Sequence, residues 1–99
     1  GRRVVSERWI DACTAGDPAL YGVPYRDSCP DGAYANFWWA NNIEPGDLMA
    51  RGVFGQMIYV NRRAEVTIVK LSSWPDYLIA DYTLDSLRAF EAILDALAE

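Results

Sequence analysis

Residues Met49–Pro75 read MARGVFGQMIYVNRRAEVTIVKLSSWP. Val53 to Val60 and Val66 to Leu71 are rich in β-branched and aromatic side chains, and Asn61, Arg62 and Arg63 between them have the composition of a turn. The plain reading is a β-hairpin. Its alternation is two-sided: Phe54, Ile58 and Val60 fall on one face, Val53, Met57 and Tyr59 on the other, and Ile68 opposes Val69 and Leu71 in the same way. A sheet with one wet face would place polar residues at every second position, so this hairpin is expected to lie between two layers.

Working outward from the hairpin, Ala33 to Asn42, AYANFWWANN, has Phe37 and Trp39 opposed to Trp38 and reads as a third strand. Glu44, Pro45 and Gly46 make the turn after it, and Asp47 to Gly52 carries the chain into the hairpin. On the far side, DYLIADYT is ambiguous. TLDSLRAFEAILDALAE is the clearest helix, with Thr83 placed to cap it, Asp85 in its first turn, and Leu84, Leu87, Phe90, Ile93, Leu94 and Leu97 in one apolar stripe. A short helix is expected from Ser6 to Thr14, capped by Ser6 and stopped by Gly16, with Trp9, Ile10 and Cys13 on its apolar side. From Asp17 to Gly32 the prolines and glycines interrupt any period, which reads as a long loop with Tyr21 and Tyr25 as anchors. The fold class is α+β: an antiparallel sheet of about three strands, a C-terminal helix and a short N-terminal helix. The N-terminal helix has too few apolar residues to cover the face that the C-terminal helix leaves open.

Composition narrows the function. At 99 residues with 52% hydrophobic and 13% aromatic content the chain can bury a core and is not disordered. A net charge of −5, from 14 acidic and 9 basic residues, with no basic cluster alternating with aromatics, argues against nucleic acid. No apolar run approaches a membrane span, so the chain reads as soluble and without a membrane partner. Cys13 and Cys29 could pair, but free thiols in a reducing compartment are the favoured reading, and with them a cytoplasmic location.

With no histidine there is no Ser-His-Asp or Cys-His site and no imidazole-built zinc site, and two separated cysteines make no metal cage. No metal or cofactor is expected. Thr67 and Lys70 have the spacing of an S-x-x-K site, but on a strand they point to opposite faces. Tyr34-Ala35-Asn36 has the form of a Y-x-N element and is better read as part of an aromatic strand.

The run from Gly52 to Val60, GVFGQMIYV, followed by Val66 to Pro75, VTIVKLSSWP, resembles the C-terminal end of class C β-lactamase-like serine hydrolases, and most closely the 6-aminohexanoate-dimer hydrolases and related esterases. GRRVVSERWI and AYANFWWA are similar to segments those proteins carry before that end. The resemblance implies that residues 1–99 are the C-terminal part of such a domain, a piece of a β-lactamase/transpeptidase-like α/β/α sandwich. In that family the nucleophile and its base come from an S-x-x-K helix further upstream, and a tyrosine that moves protons comes from a Y-x-N loop. Here the resemblance assigns only the strand edge where β-lactamases carry K-T-G, matched by Ala50-Arg51-Gly52. The absent lysine and threonine point to the amidase or esterase branch. The implied roles are a backbone N–H of Val53 as one oxyanion donor beside Gly52, with Ala50, Arg51, Trp74 and Tyr77 bordering the substrate. The implied partners are the remainder of the hydrolase domain, or a self-associating copy, and a small amide or ester substrate. A non-catalytic binding or oligomerising module is the alternative.

Overall fold

The structure of the chain, a computed structural model, describes residues 1–22, 26–27 and 29–98. Five strands pair antiparallel in chain order: β1 (Ala33–Ala35), β2 (Trp38–Ala40), β3 (Leu48–Gly52), β4 (Gln56–Asn61) and β5 (Val66–Lys70). Helix α1 (Glu7–Ala15) precedes the sheet and α2 (Ala80–Leu97) follows it. The class is α+β, with five strands rather than about three.

The two extra strands have local causes. The aromatic run is folded on itself, because Asn36 (φ 53) and Phe37 (φ 71) both adopt left-handed backbone and form a two-residue turn between β1 and β2. That turn matches the right-handed twist of flanking strands, and Asn tolerates it well. Phe37 sits at its tip, 84% exposed. The lead into the hairpin is itself a strand, β3, paired with β4 from Leu48↔Val60 to Gly52↔Gln56. Val53–Gly55 are therefore not strand but a tight 3-10 turn, with Phe54 (φ 61) and Gly55 (φ 87) left-handed. Gly52 ends a strand instead of starting one, and a Cβ there would lie 3.0 Å from the Gln56 Cβ.

Alternation then sorts the sheet into two faces. Met49, Met57 and Tyr59 point toward α2 and pack with its Leu87 and Phe90, joined by Tyr21 and Cys29. Tyr21 is buried, as an anchor of the 17–32 loop should be; Tyr25 lies outside the described residues. Helix α2 begins one turn earlier than the Thr83 cap implied, from Ile79, which offers no side-chain cap. Thr83 lies inside it, buried, with its hydroxyl donating to the Ile79 carbonyl at 3.3 Å. The buried stripe is Thr83, Ser86, Leu87 and Phe90, with Leu94 partly covered, while Ile93 and Leu97 remain exposed.

On the opposite face α1, capped by Ser6 accepting from the Trp9 N–H, lays Cys13 over Ala33, Ala40 and Leu48. Coverage stops there. The cross-strand row Ala50, Ile58, Val69 lies beyond it, with Ile58 42% and Val69 62% exposed. The two cysteines occupy different clusters as buried free thiols. Among the described residues no helix is long and apolar enough to cross a membrane.

The turn between β2 and β3 is organised by one buried carboxylate. Asp47 Oδ1 accepts from the Asn42 backbone N–H at 2.7 Å and from Asn42 Nδ2 at 2.9 Å. Its Oδ2 accepts from the N–H groups of Ile43 and Glu44 at 2.8 and 3.1 Å and from the Tyr59 hydroxyl at 2.9 Å. An aspartate placed just past a Pro-Gly turn can fold back on the preceding amides, and here it does so from the core.

Candidate functional site

Strand β2 pairs with β3 only at Leu48 and Met49, so its register stops before Ala50. On the other side the β3–β4 ladder ends at Gly52↔Gln56. The next peptide carries the Val53 N–H, outside both ladders. Val53 lines a cleft of about 120 Å³ together with Gly52, Met57, Trp74, Tyr77 and Thr83, with Arg51 also on its wall. The β3 end, the loop after β5 and the first turns of α2 thus meet at one point.

The residues picked out from the sequence divide clearly. Arg51, Gly52, Val53, Trp74 and Tyr77 are brought together around this cleft. Ala50 is not, because alternation along β3 sends its side chain to the opposite face, into a shallow depression beside Ile58. Val53 and Tyr77 form an apolar rim, 62% and 63% exposed.

Arg51 is tied inward. Its Nη2 donates to the Tyr21 hydroxyl at 2.9 Å and to Asn42 Oδ1 at 3.0 Å, and lies 3.7 Å from Cys29 Sγ. The guanidinium also stands over the Tyr21 and Trp39 rings, 5.8 and 6.0 Å from their centroids. Burial pushes the Tyr21 phenol well above the usual tyrosine range, partly offset by the Arg51 charge, so Tyr21 stays neutral as donor and acceptor. Arg51 therefore ties Tyr21 and Cys29 to the end of β3 at the cleft wall.

The turn that presents Val53 is fixed from the other side. Phe54 donates its N–H to the Tyr77 carbonyl at 3.0 Å and its carbonyl accepts from the Trp74 N–H at 3.2 Å. Trp74 packs edge-on against Tyr82, with ring centroids 5.6 Å apart, and its indole lies against the open side of Gly55. A Cβ on Gly55 would fall 2.3 Å from that ring, at a φ of 87° that disfavours any side chain. Gly55→Ala is expected to destabilise the chain by about 2–4 kcal/mol, the sum of left-handed strain and overpacking. Urea unfolding measures it, and a loss under about 1 kcal/mol would mean that Trp74 is free to move aside.

Gln56, Lys70 and Ser72, which the sequence offers within the resemblance motif but with no role at the site, surround this turn. The Gln56 amide donates to the carbonyls of Phe54 (3.2 Å) and Ser72 (2.5 Å) and accepts from the Ser72 N–H (3.1 Å). Lys70 Nζ donates to the Gly55 carbonyl at 3.1 Å and to Ser72 Oγ, and sits 4.7 Å from the Trp74 ring centroid. Burial lowers the Lys70 ammonium from the usual lysine value. Thr67 and Lys70 fall at positions of opposite parity on β5, as a strand requires. The sequence signals for this group are the resemblance motif that contains all three residues and the pair of glycines bracketing Val53 and Phe54, typical of a short hairpin turn with its last residue left-handed.

Chemically, the cleft offers the end of a strand at Gly52 and an apolar rim of Val53 and Tyr77. Among the described residues its walls include no serine or cysteine and no base to activate one. No family model matches the chain. It is 34% identical to 6-aminohexanoate-dimer hydrolase of Paenarthrobacter ureafaciens over 102 aligned positions, which cover 94% of this chain and 26% of that protein. The chain is a homologue of that hydrolase, as the hairpin motif indicated, and spans about a quarter of the length of the relative it matches.

Proposed function

We propose that this chain is the C-terminal segment of a serine hydrolase cleaving small amide or ester bonds, and that it supplies one half of an oxyanion hole. The observation that carries the reading is the placement of Val53, outside both ladders and on the wall of the cleft beside a glycine. A serine from the remainder of the domain would attack the substrate carbonyl, and a lysine beside that serine would take its proton. Negative charge then develops on the carbonyl oxygen. A fixed N–H stabilises that charge more than the neutral ground state, which lowers the barrier to the tetrahedral intermediate. Gly52 keeps side-chain bulk away from the approach, and Trp74 and Tyr77 would shape the flanks of the substrate.

The purified chain should not turn over p-nitrophenyl esters or nitrocefin, whereas a longer protein joining it to an upstream Ser-x-x-Lys should hydrolyse an amide or an ester. Turnover by the chain alone that is lost on mutating any of its own residues would overturn the reading.

The uncovered row Ala50, Ile58 and Val69 favours a second reading, a module that pairs this face with another copy. Sedimentation separates the two. A stable monomer with little binding of a hydrophobic dye excludes self-pairing, and a dimer that dissociates when the upstream portion is supplied excludes it as the native state.

A further inference from the structure

We infer that Gln56 and Lys70 are positioning residues that set the direction of the Val53 N–H by tying down the carbonyls of the 53–55 turn. The inference rests on the proposed oxyanion role of Val53 and extends it to groups that never meet substrate.

Two features of the turn make an outside restraint necessary. Phe54 occupies left-handed backbone (φ 61, ψ 26), where a side chain with a Cβ costs about 1–2 kcal/mol. The turn also projects from the sheet at the point where pairing with β2 has already ended. Left to itself, such a three-residue connection would sample several peptide orientations, and a donor that must reorganise as charge develops loses most of its value.

The structure removes that freedom on every carbonyl of the turn. Gln56 Nε2 donates to the Val53 carbonyl at 3.4 Å and to the Phe54 carbonyl at 3.2 Å, and Lys70 Nζ donates to the Gly55 carbonyl at 3.1 Å. Both side chains are themselves anchored on Ser72. The Gln56 amide makes a two-point contact with the Ser72 main chain, and Lys70 bonds the Ser72 hydroxyl. The Gly52–Val53 peptide is thus caught between a residue held in the β3–β4 ladder and a carbonyl held by Gln56, which fixes the plane carrying the Val53 N–H. The Gln56 and Lys70 donors act from β4 and β5, the Trp74 N–H adds a third tie on the Phe54 carbonyl, and Val53 itself stands on the cleft wall.

The primary measurement is amide NMR on the 99-residue chain. In the wild type, the Val53 N–H is expected to have an order parameter near 0.85, like the ladder residues on either side. A value below about 0.6 overturns the inference without any variant. Gln56→Glu keeps shape and the acceptor for the Ser72 N–H but removes the amide donor shared by the Val53, Phe54 and Ser72 carbonyls. It should move the Val53 resonance and speed exchange of that amide tenfold or more, while the β4–β5 resonances stay in place. Lys70→Met should loosen the same amide and Lys70→Arg should restore it, an outcome that simple loss of stability would not produce. An unmoved Val53 resonance in Gln56→Glu and Lys70→Met alike would overturn the positioning role. In the complete hydrolase, both loosening variants should lower kcat about tenfold with KM unchanged. A shifted Val53 amide with unaltered kcat would leave the positioning role standing and refute the oxyanion reading instead.

Discussion

Asp47→Ala is expected to lower the unfolding free energy of this chain by about 3–5 kcal/mol, because it strands several buried donors at about 1–3 kcal/mol each. The carboxylate is 1% exposed and takes five donors, three of them consecutive backbone amides and one the hydroxyl of fully buried Tyr59. Alanine would leave those groups facing a dry void, each carrying a desolvation cost, although the costs do not simply add. A domain of this size has only about 5–15 kcal/mol of stability in total, so the variant stands near the edge of folding at physiological temperature. Asp47→Asn keeps one accepting oxygen and should lose roughly half as much. Urea denaturation of the three proteins side by side is the measurement. A deficit under about 1 kcal/mol for alanine would show that water enters and replaces the carboxylate.

The second large effect is on activity. Val53→Pro deletes the backbone N–H while leaving the local geometry usable, because proline suits the first position of a helical turn and Gly52, at φ −118 and ψ 160, already has the extended conformation proline demands of its predecessor. In a hydrolase completed by the upstream residues, turnover should fall by about 10²–10³, equivalent to about 3 kcal/mol of lost oxyanion stabilisation. Val53→Ala retains the N–H and should stay within a few-fold of wild type, which separates loss of the donor from loss of the apolar rim. A proline variant within threefold of wild type would refute the assignment.

Much of this architecture is legible in residue order, since β-branched runs, a turn of polar residues and a stripe of leucines report on neighbours two to four positions away. The two-sided character of the hairpin strands was also readable. Met57 and Tyr59 are buried under α2, while Ile58 and Val69 still await cover. What eluded the pattern was backbone handedness. Nothing in the apolar period of AYANFWWANN shows that Asn36 and Phe37 turn left, so one strand was read where two exist. Thr83 misled for a related reason, because a threonine that can cap a helix can equally bond back to the preceding turn from inside it.

For the cleft, the motif located the strand end, but the side on which each residue stands depends on register. Ala50 and Arg51 are adjacent in sequence and lie on opposite faces. The Gln56–Ser72 contact joins residues sixteen positions apart through the pairing of β4 with β5, and the Asp47–Tyr59 contact likewise depends on β3 pairing with β4. Neither leaves a trace in local composition.

The two margins of the sheet are not equivalent. Along β1 an isolated antiparallel bridge between Asp17 and Tyr34 already occupies the outer backbone groups, whereas β5 closes the strand order with Val66–Lys70 on the rim. Any additional strand, whether from a longer polypeptide or from a second molecule, would find its docking line beside β5. Growth of the sheet is thereby given a direction, and a sixth strand arriving there would stand next to Val69 and lengthen the bare row, which only a layer packed on that face would cover.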